Sequence, residues 1–209
     1  MGHIREYYER IIKLKESEWN FIASHFERKV FAKNQIITRQ GDTEKFLSFV
    51  ETGIVRFYIP DNPDSYRGEL TFNFSFNKEF TCAYDSFLTQ TPSEYELQAL
   101  TETIVWQISY EDLQKVYAQT KAGNYLGRFA SEKLFLAKSK RELSLLKHTA
   151  KERYLNLFSE QPEILKFIPL KYVASYIGIT PQGLSRIRRQ ITKQPPLKTL
   201  NVPVSHYLT

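Results

Sequence analysis

"YVASYIGITPQGLSRIRRQI", Tyr172 to Ile191, sets Gly178 and Thr180-Pro181 between two short apolar-periodic runs and loads the second run with arginine. Leu170, Val173, Ala174 and Ile177 share one face of a short helix. Gly178 follows where a helix end favours left-handed backbone, a region glycine enters without steric conflict. Ile179 can plug the corner. Thr180 is a good N-cap, and Pro181 suits the first helical position, where its missing N–H had no partner. With about 100° per residue and Gln182 at zero, Leu184, Ile187 and Ile191 fall near 200°, 140° and 180°. Gln182, Ser185, Arg186, Arg189 and Lys193 fall within about 60° of zero. The spacing predicts a helix-turn-helix whose second helix, running to about Thr192, carries a polar, cationic recognition face. Arginine can donate two hydrogen bonds to guanine O6 and N7 in the major groove, and Gln182 can pair with adenine or contact a phosphate. Ser185 is small enough for close approach, and Arg188, Arg189 and Lys193 sit where phosphates would be neutralised.

The charge around this segment is uneven. Residues 1–137 hold 16 Lys and Arg against 19 Asp and Glu, a net of −3, whereas residues 138–209 hold 13 against 4, a net of +9. After Glu163 there is no acidic residue. A basic end on a mildly acidic body points to a polyanionic partner. Beyond the second helix, "KQPPLKTLNVPVSHYLT" carries Pro195, Pro196 and Pro203, which limit ladder pairing and predict a short wing or an extended arm.

Upstream, residues 5–25 read as a helix with Ile11, Ile12, Trp19, Phe21 and Ile22 as its apolar members. Residues 28–109 read as short strands broken by turns: "QIITRQGD", "FLSFVETGIVRFYI", "ELTFNFSF" and "YELQALTETIVWQIS". Leu70, Phe72, Phe74 and Phe76 alternate with polar residues, which predicts one apolar strand face. Gly41-Asp42, Thr52-Gly53 and Asp61-Asn62-Pro63-Asp64 supply turns. Such spacing predicts an antiparallel roll. Ser109 opens a helix with a loose capping box ending at Asp112. A long helix follows at 124–147. Leu126, Phe129, Ala130, Leu134, Ala137, Leu143, Leu145 and Leu146 give it a stripe that serves as a dimer seam or packs on the roll. Residues 149–160 form another helix.

Residues Leu170–Ile191 resemble the helix-turn-helix of the Crp/Fnr family of bacterial transcription regulators, in the form I-A-x-x-L-G-I-T-x-x-x-L-S-R-I-R. "IITRQGDTEKFLSFVETGIVRFY" is similar to that family's effector domain, with its G-D turn and V-x-x-G-x-V-R hairpin. The resemblance implies an α+β fold: a jelly-roll-like sensor domain with flanking helices at 1–123, a dimerisation helix at 124–147 and a winged helix-turn-helix at 148–209. It implies a cytoplasmic homodimer on a pseudo-palindromic duplex DNA operator, recruiting or blocking RNA polymerase, with Arg186 reading guanine. Where the cyclic-AMP receptor protein of that family places Arg and Glu, this chain has Pro181 and Gln182, so its operator should differ.

The sensor departs from the family's cyclic-nucleotide pattern. Its Gly-Glu and Arg-Ser/Thr cassette has no counterpart in "NKEFTCAYDSFLTQTPSEYELQAL": Lys78-Glu79 stands for the first pair, and the second falls near Ser93-Glu94. No arginine occurs from Gly68 to Gly127. A glutamate near the expected phosphate repels it, so cyclic AMP and cyclic GMP are not expected. Lys78, Glu79, Ser86, Ser93 and Glu94 remain candidates for another small effector. The single cysteine, Cys82, excludes an intramolecular disulfide and an iron–sulfur cluster, and reads as packing. His148 is the one histidine near the long helix and reads as a surface or capping group. His3, His25 and His206 have no metal-ligand spacing. No histidine lies in 28–109, against a cupin metal site, and no phosphate loop or nucleophile elbow points to an enzyme. No apolar run reaches the ~18 residues of a membrane span, and the charged N-terminus does not read as a secretion signal. The competing reading is a ligand-binding roll whose basic tail meets polyanions without sequence preference.

Overall fold

The computed structural model describes residues 1–61 and 68–193. The turn at Asn62–Asp64, the side chain of Lys193 and the predicted wing lie outside the described residues. Two antiparallel four-stranded sheets form the roll. One runs in the order β1 (Glu27–Phe31), β8 (Thr103–Ser109), β3 (Phe46–Thr52), β6 (Phe80–Thr81). The other runs β2 (Ile36–Thr38), β7 (Glu96–Ala99), β4 (Val55–Ile59), β5 (Leu70–Ser75). The inner faces enclose Phe31, Val50, Val55, Phe57, Leu97, Ala99 and Val105. Gly53 makes the β3–β4 hairpin possible: its φ is +119°, and a Cβ there would lie 2.4 Å from Thr103 Oγ1.

The N-terminal helix predicted as one piece is two, α1 (Gly2–Glu9) and α2 (Glu16–Ala23). A straight helix could not bring Ile4, Leu14, Trp19 and Ile22 into one cluster over Phe49 and Ile108, and the bend does. Arg5 clamps the bend by pairing with Glu9 and Glu16 at 2.8 and 2.7 Å. The alternation in β5 also departs from its simple reading. A bulge leaves both Phe72 and Asn73 opposite Phe57, since Phe57 pairs with Asn73 and Tyr58 with Thr71. The extra residue switches faces, so Phe72 packs in the roll and Phe74 joins the C-terminal core.

Helix α3 (Tyr84–Thr89), absent from the sequence reading, follows β6. Helix α4 (Tyr110–Gln119) starts at Ser109, whose Oγ accepts from the Asp112 N–H as expected (3.1 Å). Helix α5 (Lys121–Lys147) begins three residues before the predicted start, with Thr120 as N-cap. Gly123 is therefore inside the helix, where it lets α5 press on Val116 of α4. Leu126 is buried in the roll's flank, whereas Phe135, Leu136, Leu143 and Leu146 are exposed.

Helices α6 (Ala150–Glu160), α7 (Pro162–Phe167), α8 (Leu170–Tyr176) and α9 (Pro181–Lys193) complete the order. A capping box opens α6: Thr149 Oγ1 accepts from the Glu152 N–H, and the Glu152 carboxylate accepts from the Thr149 N–H. Tyr154, Leu157, Ile164, Ile168, Val173, Ala174, Ile177 and Leu184 form the core of this part, with Phe74 of the roll among them.

Candidate nucleic-acid interface and effector groove

The corner between α8 and α9 has the geometry its residues predict. Gly178 sits at φ +79° and its N–H donates to Ser175 O (2.9 Å), while the Ile179 N–H donates to Ala174 O (3.0 Å). Thr180 Oγ1 accepts from the Gly183 N–H (3.1 Å), and Pro181 begins α9. Leu184 is buried, and Ile187 and Ile191 pack on the same core. Gln182, Ser185, Arg186, Arg188 and Arg189 are all exposed, as is Thr180. Among the described residues, none of the three α9 arginines has an ion-pair partner. At about 100° per residue Ser185 falls between Arg188 and Arg189 around α9, and Arg186 lies beyond Arg189 on the outward face.

Two other arginines of the basic third are engaged internally. Arg141 of α5 donates to Tyr176 O (2.8 Å) and stacks on the Tyr176 ring at 3.9 Å. Arg153 of α6 donates to Ile177 O (2.9 Å) and to His148 O. Both hold the carbonyl end of α8, where cations complement the helix dipole. Lys140 pairs with Glu160 (3.0 Å).

The five effector candidates separate. Lys78 occupies a left-handed turn position before β6, and its Nζ lies 3.3 Å from Glu6 of α1. Glu79, beside it, accepts from the Phe76 N–H (2.8 Å) and lines a cleft of about 220 Å³ facing Glu160 and Glu163. Ser86 is buried, accepting from the Glu44 N–H and donating to Thr91 O. Ser93 is buried and donates to Tyr95 O. Glu94 alone reaches the larger groove, about 550 Å³, which Gln40, Ile59, Phe72 and Tyr95 also line.

Beneath this region lies a buried carboxylate. Glu44 accepts from Thr38 Oγ1 (2.6 Å), from the N–H groups of Lys45 and Phe46, and from the Ala83 N–H at the start of α3 (3.2 Å). The chain's own anion thus takes the helix start that would otherwise attract an external one. Burial, reinforced by Glu44 and Asp85, pushes the Cys82 thiol well above its usual range, so it stays protonated as expected of a packing residue. Among the described residues, no cluster of His, Cys, Asp or Glu could hold a metal ion, and no helix is long and apolar enough to cross a membrane.

One constellation escaped the sequence reading. Arg56 of β4 is buried with its guanidinium between the rings of Tyr58 (4.0 Å) and Tyr172 of α8 (3.7 Å). It donates to Thr71 Oγ1 (2.8 Å) and pairs with Glu69 (2.9 Å). The Arg closing the V-x-x-G-x-V-R pattern was the available signal.

Residues 28–120 match the family model of the cyclic nucleotide-binding domain. No curated protein sequence matches the chain. Among solved structures, the c-di-GMP-responsive global regulator CLP of Xanthomonas campestris is 19% identical, covering 85% of this chain and 92% of its own, with a TM-score of 0.64. A protein of Eubacterium rectale assigned as a Crp/Fnr-family transcriptional regulator is 18% identical over 86% of this chain and 84% of its own, with a TM-score of 0.64. The Catabolite Activator Protein of Thermus thermophilus is 20% identical over 88% and 86%, with a TM-score of 0.52. The chain therefore carries the antiparallel roll of a cyclic nucleotide-binding domain, followed by helices. Its structural neighbours include a Crp/Fnr-family regulator.

Proposed function

We propose that this protein is a sequence-specific, DNA-binding transcriptional regulator of the Crp/Fnr type, acting as a homodimer. The observation that carries this reading is the outward face of α9. Gln182, Ser185, Arg186 and Arg189 stand exposed with no ion pair among the described residues, opposite a buried Leu184 that fixes the helix against its own core. A groove-inserted helix needs that arrangement: unpaired donors outward and a rigid seat behind them. Arg186 reads a base edge, Gln182 a base or phosphate, and Arg188, Arg189 and Lys193 neutralise phosphates. RNA polymerase is the downstream partner that such a regulator recruits or blocks.

The roll does not take a cyclic nucleotide in the family's usual mode. Among the described residues no cation lines the larger groove, Glu94 brings negative charge to its rim, and Glu44 already occupies the N–H of Ala83. An anionic phosphate finds repulsion there without a guanidinium to offset it. Any effector of that groove is a different small molecule.

The test is selection of random duplex DNA on the purified protein at physiological salt, with and without cyclic AMP. The expected result is a two-fold symmetric motif, unchanged by the nucleotide. A motif that needs cyclic AMP would overturn the reading of the groove. Binding without a motif, lost steeply as salt rises, would replace the regulator with a non-specific polyanion binder.

A further inference from the structure

The sheet β2-β7-β4-β5 works on both faces at once. Side chains alternate across a strand, so neighbours in sequence look to opposite sides. Ile59, Phe72 and Tyr95 look inward and line the groove of about 550 Å³. Their immediate neighbours Tyr58, Thr71 and Glu96 look outward and build the seat of α8. Tyr58 stacks on Arg56 and donates its hydroxyl to Glu96 in a short bond. Thr71 accepts from Arg56 Nε through its Oγ1, and its backbone N–H donates to Ser175 Oγ of α8 at 2.8 Å. Ser175 Oγ in turn donates to Glu69 O (3.3 Å). The bulge at Phe72 makes this possible, because it turns Phe72 to the groove while leaving Thr71 on the outer face.

We propose that this sheet couples the groove to the recognition helix through its own thickness, within one protomer. The proposal rests on the reading of α8 and α9 as the DNA-binding helices. The element with two arrangements is the seat. Arg56 is desolvated only while Tyr172 covers it, and a buried guanidinium tolerates no half-made set of partners. An occupant that displaces Ile59, Phe72 or Tyr95 moves Tyr58, Thr71 or Glu96 with them, since each pair shares a peptide unit. The stack on Tyr172 then holds or opens as a unit. Because α8 meets α9 at the Gly178 corner, its angle sets the angle of the arginine face.

Bulky substitutions can stand in for the unidentified occupant. Gln40→Trp fills the groove from outside the sheet, and Ile59→Trp fills it from β4. The readout is amide hydrogen exchange of residues 172–177, measured against residues 154–157 of α6 in the same molecule. Both variants should change exchange in α8 by about tenfold or more, with α6 unaffected. Leu14→Ala, which lowers stability from the other sheet's flank, should shift both segments together. In a Tyr172→Leu background, which keeps bulk but removes the stacking ring, the groove variants should lose their selective effect on α8. Exchange that follows global stability in every variant, or a selective effect that survives Tyr172→Leu, would overturn the coupling. Affinity for the selected operator is the second readout. If α8 responds while the parent protein selects no operator, the coupling stands and the DNA-binding reading fails.

Discussion

Arg186 and Arg141 both contribute to the +9 of the C-terminal third, yet the fold spends them differently. Arg186 is exposed on α9 with no ion pair among the described residues, so its removal should leave the folded state untouched. Arg141 supplies the carbonyl end of α8 with a charged donor and covers the Tyr176 ring, and Tyr176 is itself buried against Phe74. Arg186→Ala should weaken operator binding by roughly 1–3 kcal/mol, relax base preference at one position per half-site, and leave the melting temperature unchanged. Arg141→Ala should lower the melting temperature, because two charge-satisfied contacts vanish at the junction of α5 and α8. Unaltered base preference in Arg186→Ala would remove that residue from base readout. The distinction was invisible in a count of charges: the sequence shows where a guanidinium is attached, and burial decides what it serves.

At the scale of elements, the α4–α5 crossing shows how context reverses a propensity. Glycine inside an exposed helix is normally worse than alanine by about 1 kcal/mol. At Gly123, however, a Cβ would meet Val116 Cγ1 at 2.7 Å and Val116 O at 2.8 Å. The carbonyl belongs to the backbone of α4 and cannot swing aside. Gly123→Ala should therefore destabilise the protein, by about 1–3 kcal/mol as overpacking does, in a chemical denaturation series. A gain in stability would mean that α4 and α5 separate easily. The sequence reading took Gly123 as a helix boundary because a lone chain window weighs glycine by its freedom, not by what lies across from it. The α8–α9 corner was legible for the opposite reason. Gly178, Thr180 and Pro181 act locally, through φ, a cap and a missing N–H, and local chemistry is written in consecutive residues. The strands of the roll were legible from their period, but the bulge at Phe72 was not, since nothing in Leu70–Phe76 marks which residue is extra. Among the five effector candidates, placement by sequence analogy brought only Glu94 to the larger groove. The stack of Arg56 with Tyr172 joins residues 116 positions apart, which no window spans.

Across the whole molecule, α5 links the roll, the C-terminal helices and the proposed second copy. Its first turns are anchored by Ala122 and Leu126 in the roll's flank. Further along, Phe135, Leu136 and Leu146 are 71%, 67% and 77% exposed, a concentration of apolar surface that an isolated chain would not favour in water. Phe135, Ser139, Leu143 and Leu146 recur at spacings of three and four residues, which puts them on one side of the helix. Two such helices related by a two-fold axis cover each other's stripe with the same residues, as an isologous interface requires. The helix spans roughly 40 Å at 1.5 Å per residue, and Arg141, within the same stretch, grips the end of α8. In the proposed dimer, pairing along α5 sets the separation of the two α9 faces, and the proposed operator then has half-sites about 34 Å apart. The double variant Phe135→Glu with Leu146→Glu places four carboxylates in the seam of a dimer and should yield a monomeric mass by light scattering at micromolar concentration, with the far-ultraviolet spectrum of the parent. Its affinity for the symmetric operator should fall about a hundredfold or more, because the second half-site no longer binds intramolecularly, while affinity for a single half-site stays at the parent's level. A variant that remains dimeric would move the interface elsewhere on the molecule. A monomeric variant with full affinity for the symmetric site would show that one copy of α9 suffices.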